Sequence, residues 1–218
     1  MNGLEKGKVL FEKQEYKEAI IELTNFLLEQ KNNADALYIR AICFRKIEAF
    51  EKSIADLSTI LIRLPDEATL FCERGISYFY NKNMNAALID MNKAVALDPN
   101  NPFRYSSRAY IRANIDVEGA IEDYKKAIEL DPEDAISLNN LGLLEENVGK
   151  MSSAKNRFNA ANKIIGYYPD KRDEIQENKK IENQSQEKNT IGKIMLNVFI
   201  AKATRKEYFA YLKSIFKK

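Results

Sequence analysis

The chain has 218 residues, 45% apolar and 30% charged, which suits a folded chain with a sizeable core and excludes a disordered one. Histidine is absent, which removes His-based triads, Cys–His dyads and every His-ligated metal site, and eight Gly with five Pro favour long helices over a turn-rich β protein. The net charge of +2 is uneven: residues 1–169 hold 22 Lys/Arg against 25 Asp/Glu, and residues 191–218 hold 7 against 1, so the body is a poor nucleic-acid surface and no nucleic-acid partner is expected.

The first segment, MNGLEKGKVLFEKQEYKEAI, is charged throughout and lacks the apolar core of a signal peptide. No run of 18 or more apolar residues occurs, so no membrane-spanning helix is expected and a cytoplasmic location is the default. Cys43 and Cys72 are too few for a disulfide framework and read as reduced, partly buried thiols.

Along the chain, YKEAIIELTNFLLEQ aligns with AFEKSIADLSTILIRLP (49–65), NAALIDMNKAVALDP (85–99), EGAIEDYKKAIELDP (118–132) and SSAKNRFNAANKI (152–164). The small residues Ala19, Ser53, Ala87, Ala120 and Ala154 anchor the five copies at spacings of 34, 34, 33 and 34. A period this regular marks a repeat architecture. Each copy carries two helical patterns. In the second, Leu37, Phe44 and Ile47 mark helix A, and Phe50, Ile54, Leu57, Ile60 and Leu61 mark helix B. In the third, Phe71, Ile76, Tyr78 and Phe79 precede Ala87, Leu88, Met91, Ala94, Val95 and Leu97. Pro65, Pro99 and Pro132 end the B helices, because proline lacks an amide hydrogen and disfavours a helical residue before it. Neither helix alone buries its apolar stripe; stacked neighbours share a continuous core.

These features resemble the tetratricopeptide repeat (TPR) family. The large residue opening helix A is Leu37, Phe71, Tyr105 and Leu138. The small residue four places on is Ala41, Gly75, Ala109 and Gly142, with Gly7 in the first copy. Leu23, Leu57, Met91, Tyr124 and Phe158 fill the large site of helix B. The resemblance implies an all-α, right-handed α-solenoid of stacked helix-turn-helix repeats with C-terminal capping or amphipathic helices. The expected repeats are 1–33, 34–67, 68–101, 102–134 and 135–168. The pattern departs at Phe26 and Ile60, where a small residue is expected late in helix B, so wider contacts are expected at the first two repeat junctions. The fourth copy is one residue short in its inter-helix turn, ANIDVEGA, which should displace the end of its first helix.

In resembling proteins the A helices line a concave face that binds a peptide or partner segment. The corresponding groove residues are Tyr38, Cys72, Ser106 and Asn139 on one row, Ile42, Ile76, Tyr110 and Leu143 on the next, and Arg45 and Phe79 on a third, with Tyr80 beside it. Tyr and Phe supply large contact area at low entropic cost. The positions that hold a chaperone's terminal carboxylate in some relatives read Leu4, Lys8, Ile39, Thr69 and Glu73, which keeps one cation and adds a carboxylate. An apolar or helical segment therefore suits this face better than an acidic tail.

A second periodic set is Arg40/Asp56, Arg74/Asp90 and Arg108/Asp123, with Lys6/Glu22 in the first copy. The fifth copy carries Leu141 and Arg157, so both members are lost together. This reads as a structural ladder of cation–carboxylate pairs, within a repeat or to the next one, that fixes register.

Residues 169–190 are strongly charged and read as a helix extension or linker. In residues 191–218, Ile191, Ile194, Met195, Val198 and Phe199 form one apolar face, and Tyr208, Phe209, Leu212, Ile215 and Phe216 another. This basic amphipathic segment is expected to cap the repeats or fill the groove, to self-associate, or to lie on a membrane surface. No phosphate loop, metal cluster, nucleophile motif or cofactor fingerprint is present. The sequence points to a non-enzymatic interaction scaffold with a protein or peptide partner and no cofactor.

Overall fold

The computed structural model describes residues 2–167, all within or next to the repeats. Residue 168, the charged segment 169–190 and the amphipathic segment 191–218 lie outside the described residues. Met1–Ile165 form one compact unit. The described residues contain ten α-helices and no strand. They are α1 (Gly3–Glu12), α2 (Tyr16–Glu29), α3 (Ala34–Lys46), α4 (Phe50–Leu61), α5 (Ala68–Tyr80), α6 (Met84–Leu97), α7 (Pro102–Arg112), α8 (Val117–Leu130), α9 (Ala135–Asn147) and α10 (Met151–Ile164). Odd-numbered helices are the A helices and even-numbered ones the B helices of an all-α solenoid.

Local chemistry sets the helix starts. The side chains of Asn2, Asn33, Asn83, Asn101, Asp116 and Asp134 each accept a hydrogen bond from an amide of the helix they open. A cap of this kind contributes about 1 kcal/mol. Pro102 occupies the first position of α7, where a missing amide hydrogen costs nothing.

Each A helix packs on its own B helix, and each B helix on the next A helix. Beyond these neighbours, α1 meets α3 and α5 meets α7. The periodic small residues permit the close approach: Ala19, Ser53, Ala87 and Ala120 are fully buried. Leu23, Leu57 and Met91 fill the space beside them and are also fully buried. Each such side chain contributes about 1.5–3 kcal/mol. Gly7 and Gly142 are required by contact. A Cβ on Gly7 would lie 2.5 Å from Cγ of Leu23, and one on Gly142 2.6 Å from Cε1 of Phe158.

The A-to-B turn is itself periodic. Gln14, Glu48 and Lys82 sit at φ 63 and Gly149 at φ 80, so one left-handed residue closes each of these four turns. In the fourth repeat the deleted residue removes that position. There α7 is 11 residues long, and Asn114 instead donates through Nδ2 to the carbonyls of Tyr110 and Ile111. Late in helix B, Ala94, Ala127 and Ala161 are buried, and so is the larger Ile60, which also borders a 680 Å³ cleft at the junction of the first two repeats. Arg63 reaches across that cleft, donating to the carbonyl of Asn32 at 3.0 Å.

Candidate partner-binding face

The three Arg/Asp sets form two-pronged pairs between the A and B helices of one repeat. Arg40 donates to Asp56 at 2.8 and 2.7 Å. Arg74 donates to Asp90 at 2.7 and 2.8 Å, and Arg108 to Asp123 at 2.8 and 2.6 Å. The remaining nitrogen of each guanidinium reaches back to the preceding B helix. Arg40 donates to Thr24 at 3.2 Å, Arg74 to Ser58 at 3.1 Å and Arg108 to Asn92 at 3.0 Å. Each rung thus ties two repeats together, and Asp56, Asp90 and Asp123 are buried behind it. The Arg74 pKa is raised chiefly by its hydrogen bond to Asp90.

At the two ends the ladder changes. Lys6 and Glu22 form no ion pair among the described residues. In the fifth repeat the pair is reversed: the carboxylate is Glu145 on α9, and Arg157 on α10 lies 3.6 Å from it. Glu145 is 33 residues after Arg112, which contacts Asp123 at 3.1 Å in the fourth repeat. The cation and the carboxylate have exchanged helices.

On the opposite side of the A helices, α5, α7 and α9 enclose a concavity of 380 Å³. Ile76, Phe79, Tyr80, Ser106 and Tyr110 line it, with Arg45 at one end. A second hollow of 240 Å³ shares Phe79, Tyr110, Tyr124 and Asn140 and ends on Leu143. The aromatic rings brace one another. Phe50 stacks on Tyr80 with centroids 5.8 Å apart, and Phe79 meets Tyr80 edge-on at 5.3 Å and Tyr110 at 5.6 Å. Tyr80 is 43% exposed, Tyr110 51%, Phe103 52% and Ile136 75%. The pKa of Tyr110 is raised, first by the nearby Tyr80 hydroxyl, while burial pushes Tyr124 up to about 12. Both phenols are protonated at neutral pH.

Several sequence expectations need correction here. Cys72 is fully buried, packed among Ala87, Met91, Ala94 and Ile111, and burial raises the pKa of its thiol. Ile42 is also buried. Cys72 belongs to the core because it packs against α6 and α7. Tyr38 is half-buried against the first core cluster. Asn139 is exposed outside the concavity, and it is Asn140 that turns inward and donates to the Tyr124 hydroxyl at 3.2 Å. Arg45 forms an ion pair with Glu73 through Nη2, while its buried Nε has no hydrogen-bond partner.

Phe103 and Ile136, which form the rim of the concavity, are not among the groove residues expected from the sequence. The signal lies in the period. The second position of helix A is Asp35, Thr69, Phe103 and Ile136, polar in the second and third repeats and apolar in the fourth and fifth.

Residues 4–68 and 68–101 match models of the tetratricopeptide repeat, and residues 116–149 match a model of the TPR repeat. Human sperm-associated antigen 1 is 30% identical over 96 residues, which are 44% of this chain and 10% of that protein, so the chain corresponds to a small part of this relative. Among solved structures, MamA from Desulfovibrio magneticus RS-1 is similar with a TM-score of 0.66 at 19% identity, covering 73% of this chain and 91% of that one. YrrB, described as a TPR protein with an unusual peptide-binding site, has a TM-score of 0.58 at 18% identity, with coverage of 74% and 84%. A thermophilic TPR protein of Thermus thermophilus has a TM-score of 0.62 at 18% identity, with coverage of 74% and 89%. At these identities the likeness concerns the fold.

Proposed function

Because the chain belongs to the tetratricopeptide repeat family, we propose that it is a non-enzymatic scaffold that holds a segment of a partner protein on its A-helix face. The observation that carries this reading is the aromatic concavity formed mainly by repeats 3 to 5, bordered by exposed Tyr80, Phe103, Tyr110 and Ile136. Exposed aromatic groups gathered in one hollow are the usual anchors of a protein interface. That YrrB is described as having a peptide-binding site adds support from a related fold.

Charge pairing argues in the same direction. The buried carboxylates Asp56, Asp90 and Asp123 are bound to arginines of the ladder. The test is retention of partners by the full chain carrying Tyr80→Ala and Tyr110→Ala. The expected result is loss of the bound partner with the helical content unchanged. Retention equal to that of the unmodified chain would move binding to another face.

A second reading rests on the charge of residues 191–218, with 7 Lys/Arg against 1 Asp/Glu. In it the chain is a membrane-peripheral or self-associating scaffold that uses this segment. Flotation with anionic liposomes of residues 1–218 against 1–190 tests the membrane form. Equal flotation of the two would eliminate it. Sedimentation of the same pair tests self-association. No helix among the described residues is long and apolar enough to cross a membrane.

A further inference from the structure

We infer that the hollow on repeats 3 to 5 takes an arginine side chain carried by a segment of a partner protein. This rests on the proposed A-face reading and names the residue type that the face selects. The repeat itself supplies the comparison. At the junction of repeats 3 and 4, Asp98 accepts from the Arg104 guanidinium at 3.3 Å and from the Asn101 side-chain amide at 2.9 Å. Arg104 also donates to Thr69 at 3.0 Å, lies 6.0 Å from the centroid of Phe103 and is buried. The charges of Asp98 and Arg104 cancel. At the next junction the equivalents of Asp98, Asn101 and Arg104 are Asp131, Asp134 and Ser137. The amide has become a second carboxylate, and the cation has gone. Asp131 and Asp134 are half-buried, and neither they nor the adjoining Glu133 form an ion pair among the described residues.

The hollow coincides with the missing side chain. Phe103 and Ser137, the equivalents of Thr69 and Arg104, both line it, so it takes the place between α7 and α9 that Arg104 fills between α5 and α7. The rest of the lining does not oppose a cation. Arg45 at the far end is bound to Glu73 through Nη2, and its Nε is buried without a partner. Those two charges sum to zero, which leaves Asp134 as the unbalanced charge of the lining. The hydroxyls of Ser106, Tyr80 and Tyr110 and the Asn140 amide both donate and accept, so they favour neither sign of charge. A carboxylate offers about four lone-pair sites. Asp134 uses them on the amides of Ile136 and Ser137 and on the Ser137 hydroxyl, and Asp131 on the amide of Glu133, so each can take a further donor. Arginine answers this set better than lysine, because its planar guanidinium both forks onto carboxylates and stacks on rings. Exposed Tyr80, Phe103 and Tyr110 supply the rings. An acidic segment would meet like charge here. The arginine is assigned to a partner because this chain's own basic segment, 191–218, holds a single arginine, Arg205, among its 7 Lys/Arg.

The test titrates the full chain, followed by NMR, with end-blocked peptides Gly-Ser-Leu-X-Leu-Ser-Gly in which X is arginine, lysine, glutamate or citrulline, which keeps the shape of arginine without its charge. The expected result is saturable shift changes on α7 and α9 with the arginine peptide, binding about tenfold tighter than the citrulline peptide and also tighter than the other two. Asp131→Asn with Asp134→Asn should remove the preference for arginine over citrulline. An asparagine keeps the helix cap, as Asn101 does for α7. Ser137→Arg, which restores the Arg104 arrangement, should abolish binding of the arginine peptide. No binding of the arginine peptide, equal affinity for citrulline, a preference for lysine or glutamate, or a preference for arginine that survives the two asparagines would overturn the assignment. Binding seen only after Arg172→Gln with Arg205→Gln would give the hollow to this chain's own arginines and overturn the partner's claim to it. If Tyr80→Ala with Tyr110→Ala abolishes retention of the native partner while Asp131→Asn with Asp134→Asn leaves it unchanged, the arginine assignment falls and the A-face reading stands. If neither pair changes retention, both fall.

Discussion

The A-helix face differs between its two halves although the backbone repeats. On repeats 1 and 2 the polar groups answer one another: Lys8 lies 3.8 Å from both Glu5 and Asp35, Arg45 is bound to Glu73, and Ile42 is buried. On repeats 3 to 5 the equivalent row carries Ile76, Tyr110 and Leu143, with Tyr110 and Leu143 exposed. A repeat fold supplies the same positions several times over, and the residue placed at each decides whether that stretch is closed on itself or open to a partner.

The largest expected effect lies in what both halves share. Asp90→Ala should cost about 3–5 kcal/mol, because Arg74 would remain partly buried without its carboxylate. Urea unfolding measures this. A loss near that of a surface pair, below about 1 kcal/mol, would show that the ladder is not a main tie between repeats.

The two halves should also separate in alkali. The Cys43 thiol in repeat 2 is pushed up to about 11 by burial, from 9.0, and the Tyr124 phenol under repeat 5 to about 12, from 10.0. A raised pKa on an acid means that the unfolded chain loses its proton first. The stability each group contributes is therefore complete below the unfolded value and is lost as pH rises through the folded one. Stability should fall from about pH 9 to 11 through Cys43 and from about pH 10 to 12 through Tyr124. Two pKa steps correspond to about 2–3 kcal/mol. Cys43→Ala should flatten the first part of that fall, and an unchanged profile would remove Cys43 as its source.

Next in size is Gly142→Ala, whose Cβ would lie 2.6 Å from Phe158. It should cost about 1–3 kcal/mol through overpacking in the fifth repeat. Thermal unfolding with Gly142→Ala beside Asn139→Ala, on the same helix but exposed, isolates the contact. Smallest is Glu48→Gly. Glu48 holds a left-handed conformation at φ 63, and relief of that strain should give up to about 1 kcal/mol, less the added flexibility of the unfolded chain. A loss of stability would mean that the Glu48 side chain contributes more than its backbone costs.

Much of the fold is written in the spacing. A 34-residue period with small residues at Ala19, Ser53, Ala87, Ala120 and Ala154 specifies where helices must approach, and these residues lie at the helix contacts. The period also sets Arg40, Arg74 and Arg108 opposite their aspartates, but it does not disclose the third donor of each arginine. That contact depends on the tilt between repeats, which brings Thr24, Ser58 and Asn92 within reach. Depth is likewise invisible to periodicity. Cys72 and Ser106 occupy equivalent places, yet the first is fully buried and the second partly exposed. One residue turns a helix by about 100°, so choosing between Asn139 and Asn140 needs the packing of α9 on α7 and α8, not the repeat alone. The rim residues Phe103 and Ile136 were legible in principle, since the second helix-A position changes from polar to apolar between the third and fourth repeats.

Site-specific photo-crosslinking in the full chain tests the central claim most directly. A photoreactive phenylalanine placed in turn at Tyr110 and Ile136 on the A face, and at Ile21 and Ile89 on the B helices, reports which side the partner touches. The expected result is a partner adduct from Tyr110 and Ile136 and none from Ile21 or Ile89, although Ile21 and Ile89 are 60% and 69% exposed. Adducts from the B-helix positions, with none from Tyr110 or Ile136, would contradict it.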